Sequence, residues 1–233
     1  MIDEQSANYE EAKRDFRRAR QLGALESAVG QLRGKSTRLL GYGEVSEQLG
    51  VGEATPRGLQ QVPLDAIVGS VGRYSDFTRS FLPRRKTGQE RWARVRAAFD
   101  SVEEMPPIVV YRLGDSYFVL DGNHRVSVAH ILGATHIPAY VTDIESRVSL
   151  TPDTQPDDLI CSAKYAEFLK ETQLDDLRPE ADLTVTAPGQ YRLLLQQIHG
   201  YWAWLKREKG ADSPLSEAVT GWYDEIYMPL VKI

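Results

Sequence analysis

The sequence predicts an α+β fold, with a small mixed β-sheet in the middle of the chain and helices before and after it. Three observations carry this. Ile108 to Arg112 and Tyr117 to Leu120 are rich in β-branched and aromatic residues, the types that fit a half-buried pleated surface. Leu113-Gly114-Asp115-Ser116 between them has turn composition, so a hairpin is the simplest connection. After Leu120 the apolar spacing changes to three and four through Val126, Ala129 and His130, so a helix begins at or just after Asp121-Gly122.

The flanking helices follow from the same periodicity. Residues 6–33 keep an apolar stripe through Tyr9, Phe16, Ala19, Leu22 and Val29, and Gly34 is a plausible stop. The arginines of this stretch share it with Glu10, Glu11 and Asp15, which predicts a solvated, salt-bridged face. Tyr42 to Leu49 reads as a short helix ended by Gly50. Thr55-Pro56-Arg57-Gly58 reads as a connection into a strand at Gln60 to Pro63, and Pro56 and Gly58 leave no room for a recognition helix after it. Residues 69–86 form a loop, and Gln89 to Phe99 an amphipathic helix with Trp92, Val95, Ala98 and Phe99 inward. Ile137 to Ile144 makes the next strand. A polar linker follows from Thr151, and then helices over Leu159–Thr172, Pro188–Lys209 and from Ser213 onward. Pro188 stands in a first turn, as proline prefers. The aromatic stripes of the last two helices, Tyr191 to Trp202 and Trp222 to Tyr227, read as core.

Composition excludes several classes. The chain has 233 residues with 42% hydrophobic and 26% charged residues, as in ordinary globular proteins. No apolar run approaches the roughly 20 residues needed to span a bilayer, and the N-terminus is acidic and polar. Cys161 stands alone, so there is no intrachain disulfide framework and no Cys/His set for zinc. A cytoplasmic protein without membrane attachment is expected. The net charge is −5, and its acidic excess lies in the last third, with fourteen Asp+Glu against eight Lys+Arg over residues 151–233. Arg79 to Arg96 is the opposite, seven cations against Glu90 alone. That stretch points to an anionic partner.

The turn Asp121-Gly122-Asn123-His124-Arg125 carries the chemistry. The first N–H groups of a helix lack intrahelical partners and its dipole favours an anion there. Gly122 would let the backbone lie against a phosphate without a positive φ, and Asn123, His124 and Arg125 add donors. Asp121 suits either an N-cap or a Mg²⁺ ligand shared with phosphate oxygens. The alternative is an Asp-capped helix with solvated His and Arg.

Asp121-Gly122-Asn123-His124-Arg125 followed by Val126-Ser127-Val128-Ala129 resembles the signature of the ParB/sulfiredoxin superfamily, in which a Gly-x-x-Arg turn opens a helix and holds nucleotide phosphates. Val62-Pro63-Leu64-Asp65-Ala66-Ile67 resembles the strand and turn that begin such domains. Gly133 to Val141 resembles the strand that follows the helix. The resemblance implies a ParB/sulfiredoxin-like domain at 60–148, with a helical N-terminal arm (1–59) and an acidic helical C-terminal region (149–233). It implies phosphate binding by Gly122, Asn123, His124 and Arg125, with Arg73 and Arg84 assisting. The ligand would be a nucleoside triphosphate, ATP or CTP, with Mg²⁺ on Asp121. Asp121 and His124 would be the catalytic groups of an NTP hydrolase or small-molecule phosphotransferase. Two departures are visible. No cysteine stands in the turn, against sulfinic-acid reduction. The loop holds Asp76 but none of the glutamate that phosphorylating members place there. The alternatives are a ParB-like DNA-associated regulator, which the net acidity and the missing helix-turn-helix disfavour, and a non-catalytic interaction protein that keeps the fold.

Overall fold

The structure, a computed structural model, describes residues 2–86 (backbone only for 2–6), 88–99, 102, 104–156, 158–185, 189–209 and 212–231. The chain divides into two compact units after Pro156. The first begins with α1 (Ile2–Leu32), β1 (Leu40–Gly41), α2 (Tyr42–Leu49), β2 (Ala54–Pro63) and β3 (Ile67–Ser70). It continues through α3 (Gln89–Ala98), β4 (Ile108–Leu113), β5 (Ser116–Asp121), α4 (Asn123–Ile131) and β6 (His136–Ile144). The strands form one mixed sheet of order β1-β3-β5-β4-β6-β2. β3 runs parallel to β1 and β5, the β4–β5 hairpin is antiparallel, β6 is parallel to β4, and β2 closes the far edge antiparallel to β6.

Strand alternation sets the layers. Val110 and Val119 are cross-strand partners and pack with Val126 and Ala129 of α4, Ile108, Ile137 and Phe81 in the main core. The neighbouring pair Tyr111 and Phe118 instead meets Tyr42 of α2, at ring centroids of 5.0 and 5.6 Å. A second cluster lies beyond α4, where Val128 packs with Trp92 of α3 and with Phe16 and Ala19 of α1. The fully buried Trp92 satisfies its indole N–H by donating to Ser127 Oγ at 2.9 Å. Burying an indole without such a partner would leave an expensive polar orphan.

Three expectations change. Thr55–Gly58 is no connection, because β2 starts at Ala54 and its register only shifts between Pro56 and Gly58. An edge strand tolerates Pro56 because no further strand requires its missing N–H. Of the inward residues expected on α3, Trp92 is buried but Ala98 is exposed, and Ala93 takes a buried place instead. Arg79 is structural. Its guanidinium donates to the carbonyls of Val68 (3.2 Å), Pro152 (2.7 Å) and Thr154 (2.9 Å), and burial lowers its pKa.

The second unit is helical: α5 (Asp158–Thr172), α6 (Leu174–Leu177), α7 (Gln190–Glu208) and α8 (Leu215–Gly221). The helix then continues as a π segment over Trp222–Tyr227 and as α9 (Met228–Val231). Pro188, expected in the first turn of α7, lies outside the described residues. The core takes Tyr191, Ile198, Leu205, Trp222 and Tyr223, but Trp202 is only half-buried. Its ring lies under the Lys206 ammonium, and its indole N–H donates to Ser213 O. No helix among the described residues is long and apolar enough to cross a membrane.

Candidate anion-binding site

β3 and β5 run parallel and end side by side, so the turns that follow them share one edge of the sheet. At the end of β3, the buried Ser70 hydroxyl donates to the Val119 carbonyl at 3.0 Å and accepts from Gly72 N–H at 3.3 Å. Arg73 follows with φ +58°, an unusual conformation for a side chain that is not glycine. After β5, Gly122 is the N-cap of α4 at φ +114°. Asn123 Nδ2 donates to the Gly72 carbonyl at 3.1 Å and joins the two turns.

Between them opens a cavity of about 240 Å³. Arg73, Arg91, Asp121, Asn123, His124 and Arg125 give it polar walls, and Val95 and Leu120 contribute apolar ones. Neither α3 nor α4 has a side-chain cap at its N-terminus, where Gly88 and Gly122 stand in left-handed conformations. Gly88 lies against the His124 ring. The wall therefore sets three arginines and uncapped helix N–H groups against one carboxylate, Asp121, so the balance favours negative charge.

His124 and Asn123 mark the pocket further. Both His124 ring nitrogens and Asn123 Oδ1 are buried without a hydrogen-bond partner among the described residues. The imidazole meets the Phe77 ring edge-on at 5.6 Å. Burial, with the nearby Arg91 and Arg73 charges, lowers its pKa to about 4, against a smaller opposing effect of Asp76. His124 is thus neutral at pH 7, able to donate through one nitrogen and accept through the other.

Arg125 is turned partly inward. Nη1 donates to the carbonyls of Pro106 (2.8 Å) and Pro107 (2.7 Å), and Nη2 pairs with Asp121 Oδ2. Its side chain is 17% exposed and that of Asp121 61%. Asp121 therefore does not cap α4. The expected role of Gly122 also changes. A Cβ there would stand 2.5 Å from Ile108 Cγ2, so the positive φ and the strand beneath require glycine whether or not a ligand binds.

The structure brings Arg73, Asp121, Gly122, Asn123, His124 and Arg125 together, but not Arg84. Arg84 lines a separate cavity with Arg20 and Ser27 of α1. The sequence reading missed Arg91. It stood only as one of the seven cations of Arg79 to Arg96, in the first turns of a helix that starts after glycine, with nothing to tie it to the Asp121–Arg125 turn.

A mixed sheet whose parallel strands lead into an electropositive strand-to-helix turn, with helices before and after it, defines an α+β domain with a candidate anion site. Residues 74–152 match the model of the ParB N-terminal domain, a match consistent with the ParB/sulfiredoxin superfamily. No curated protein and no solved structure gives a significant match.

Proposed function

We propose that the cavity binds the phosphate chain of a nucleoside triphosphate, ATP or CTP. The observation that carries this reading is the buried His124 imidazole without a partner, inside a set of arginines at an uncapped helix N-terminus. Such groups are costly to bury unless something else satisfies them. Phosphate oxygens would accept from the N–H groups of Asn123, His124 and Arg125, from the neutral His124 imidazole, and from the guanidinium groups of Arg73 and Arg91. The cavity is smaller than the roughly 300–1,000 Å³ usual for whole ligands. It suits the phosphate end, with the nucleoside leaving past Val95 and Leu120.

Among the described residues no cluster of three His, Cys, Asp or Glu can hold a metal. Asp121, at the cavity and paired with Arg125, is the carboxylate that would hold Mg²⁺. The ion would neutralise charge on the phosphates. For hydrolysis or phosphotransfer to a small acceptor, this reading assigns Asp121 to the ion and His124 to the proton of the attacking hydroxyl. Bound phosphate raises the pKa of His124 and makes it a better base.

A thermal-shift panel of ATP, CTP, GTP and their diphosphates, with and without Mg²⁺, tests this. A ligand at about 100 times its Kd adds about 2.7 kcal/mol to the native state, so a triphosphate should raise Tm clearly. An unchanged Tm across the panel at millimolar nucleotide would sink the reading.

A further inference from the structure

We infer that Arg125 is a positioning residue: its guanidinium fixes the start of α4 against the entry to β4, while Arg73 and Arg91 meet the charge of the ligand. This rests on the phosphate reading above and divides the work among the three cavity arginines.

The hydrogen bonds of Arg125 carry the inference. Nη1 donates to the carbonyls of Pro106 and Pro107, at 2.8 and 2.7 Å, and Nη2 is taken by the Asp121 carboxylate. Three of the five guanidinium N–H groups are thus committed, and the planar fork that would grip a phosphate is spent on the chain's own oxygens. Nε lies 3.2 Å from where a Cβ on Gly122 would stand, so the side chain folds back over the turn it follows.

These partners join separate pieces of chain. Pro106 and Pro107 stand directly before β4, which starts at Ile108. Ile108 in turn lies beneath Gly122, with Cγ2 at 2.5 Å from a Cβ placed there. Arg125 therefore holds, from α4, the same strand entry on which the Gly122 turn rests. The uncapped N–H groups of Asn123, His124 and Arg125 face an anion only while that turn keeps its place. Swinging the guanidinium onto a phosphate would break three hydrogen bonds to make the two of a bidentate contact.

Arg73 and Arg91 are in the opposite condition. Both are exposed, and among the described residues their guanidinium groups make no hydrogen bond or ion pair. Each lines the cavity, and the charges of both act on His124 in its wall. Because Asp121 offsets Arg125, these two supply the positive charge of the cavity.

The test is titration calorimetry of the full chain with inorganic tripolyphosphate in EDTA, at a temperature where circular dichroism shows each variant folded. Arg73→Lys and Arg91→Lys keep a point charge at an exposed site and should bind within about threefold of wild type. Arg125→Lys should lose about tenfold or more, as Arg125→Ala does, because an ammonium does not reproduce the fork. Both Arg125 variants should also melt below wild type. Arg73→Ala and Arg91→Ala should each flatten the salt dependence of binding, whereas Arg125→Ala should leave it as steep as in wild type. The wild-type chain gives a reading that needs no variant: NMR signals of the Arg125 Nη hydrogens should be resolved without ligand and stay in place at saturation. Wild-type affinity in either Arg125 variant, a flattened salt slope in Arg125→Ala, or Arg125 Nη signals that move with the ligand would each overturn the inference and leave the phosphate reading standing. A wild-type chain that binds no tripolyphosphate would overturn the phosphate reading itself, and this division of labour with it.

Discussion

His124 couples pH to stability through a definite sign. Its folded-state pKa of about 4 lies below the ordinary 6.5, so as pH falls the unfolded chain takes the proton first. The neutral, buried imidazole contributes fully above about 6.5, and its contribution is lost between 6.5 and 4. A shift of that size is worth roughly 3 kcal/mol. His130, which burial also lowers, adds in the same direction. Urea denaturation at pH 7.5 and pH 4.5 should therefore show a wild-type loss that His124→Asn reduces, and an equal loss in both proteins would refute the assignment. Arg73 offers the opposite balance, a guanidinium at the pocket on a strained backbone. Arg73→Gly should raise stability by about 1 kcal/mol through relief of the positive φ. It should also weaken nucleotide binding by about 1.5–3 kcal/mol, the range for a hydrogen bond to a charged group. Titration calorimetry beside a melting curve reads both, and unchanged affinity would remove Arg73 from the site.

At the scale of elements, the hairpin and α4 were legible because local chemistry and tertiary context agree. β4, Gly114, β5 and the glycine-led helix start lie in one continuous stretch, so little rests on distant pairing. β2 was not legible, since Pro56 and Gly58 speak against a strand until β6 supplies its partner. The turn glycine was legible as a glycine but not in its reason, because Ile108 beneath it is fourteen residues away in sequence. Gly122→Val should accordingly lower Tm sharply as well as abolish ligand binding, and a variant with wild-type Tm would contradict the contact with Ile108. In the second unit the aromatic stripe gave the right face but not the depth. Trp222→Ala should cost about 3–5 kcal/mol as a large core truncation. Trp202→Ala should cost less than half as much, because that ring is half-exposed beneath Lys206. Equal losses in chemical denaturation would show the two rings to be equally buried.

Over the whole molecule, net charge misleads because its signs are segregated. The acidic excess belongs to the residues after Pro156, whereas the turn and the arginines of its cavity lie before it. Sequence pointed to Asp121–Arg125 as the candidate anion site, since strand, glycine and helix start are adjacent there. It could not pair that turn with Arg91, which α3 brings in from over thirty residues away. Nor could it separate Arg84 from Arg73, two cations of one loop that end at different cavities. The most direct measurement is a ¹H–¹⁵N NMR titration of the full chain with ATP and with CTP, following backbone amides and arginine Nε–H groups. Phosphate in the cavity should move the amides of Asn123, His124 and Arg125 together with Nε–H of Arg73 and Arg91, saturating along one binding curve. Saturable binding that leaves these signals in place and moves those of Arg20 and Arg84 would contradict a phosphate site at the turn.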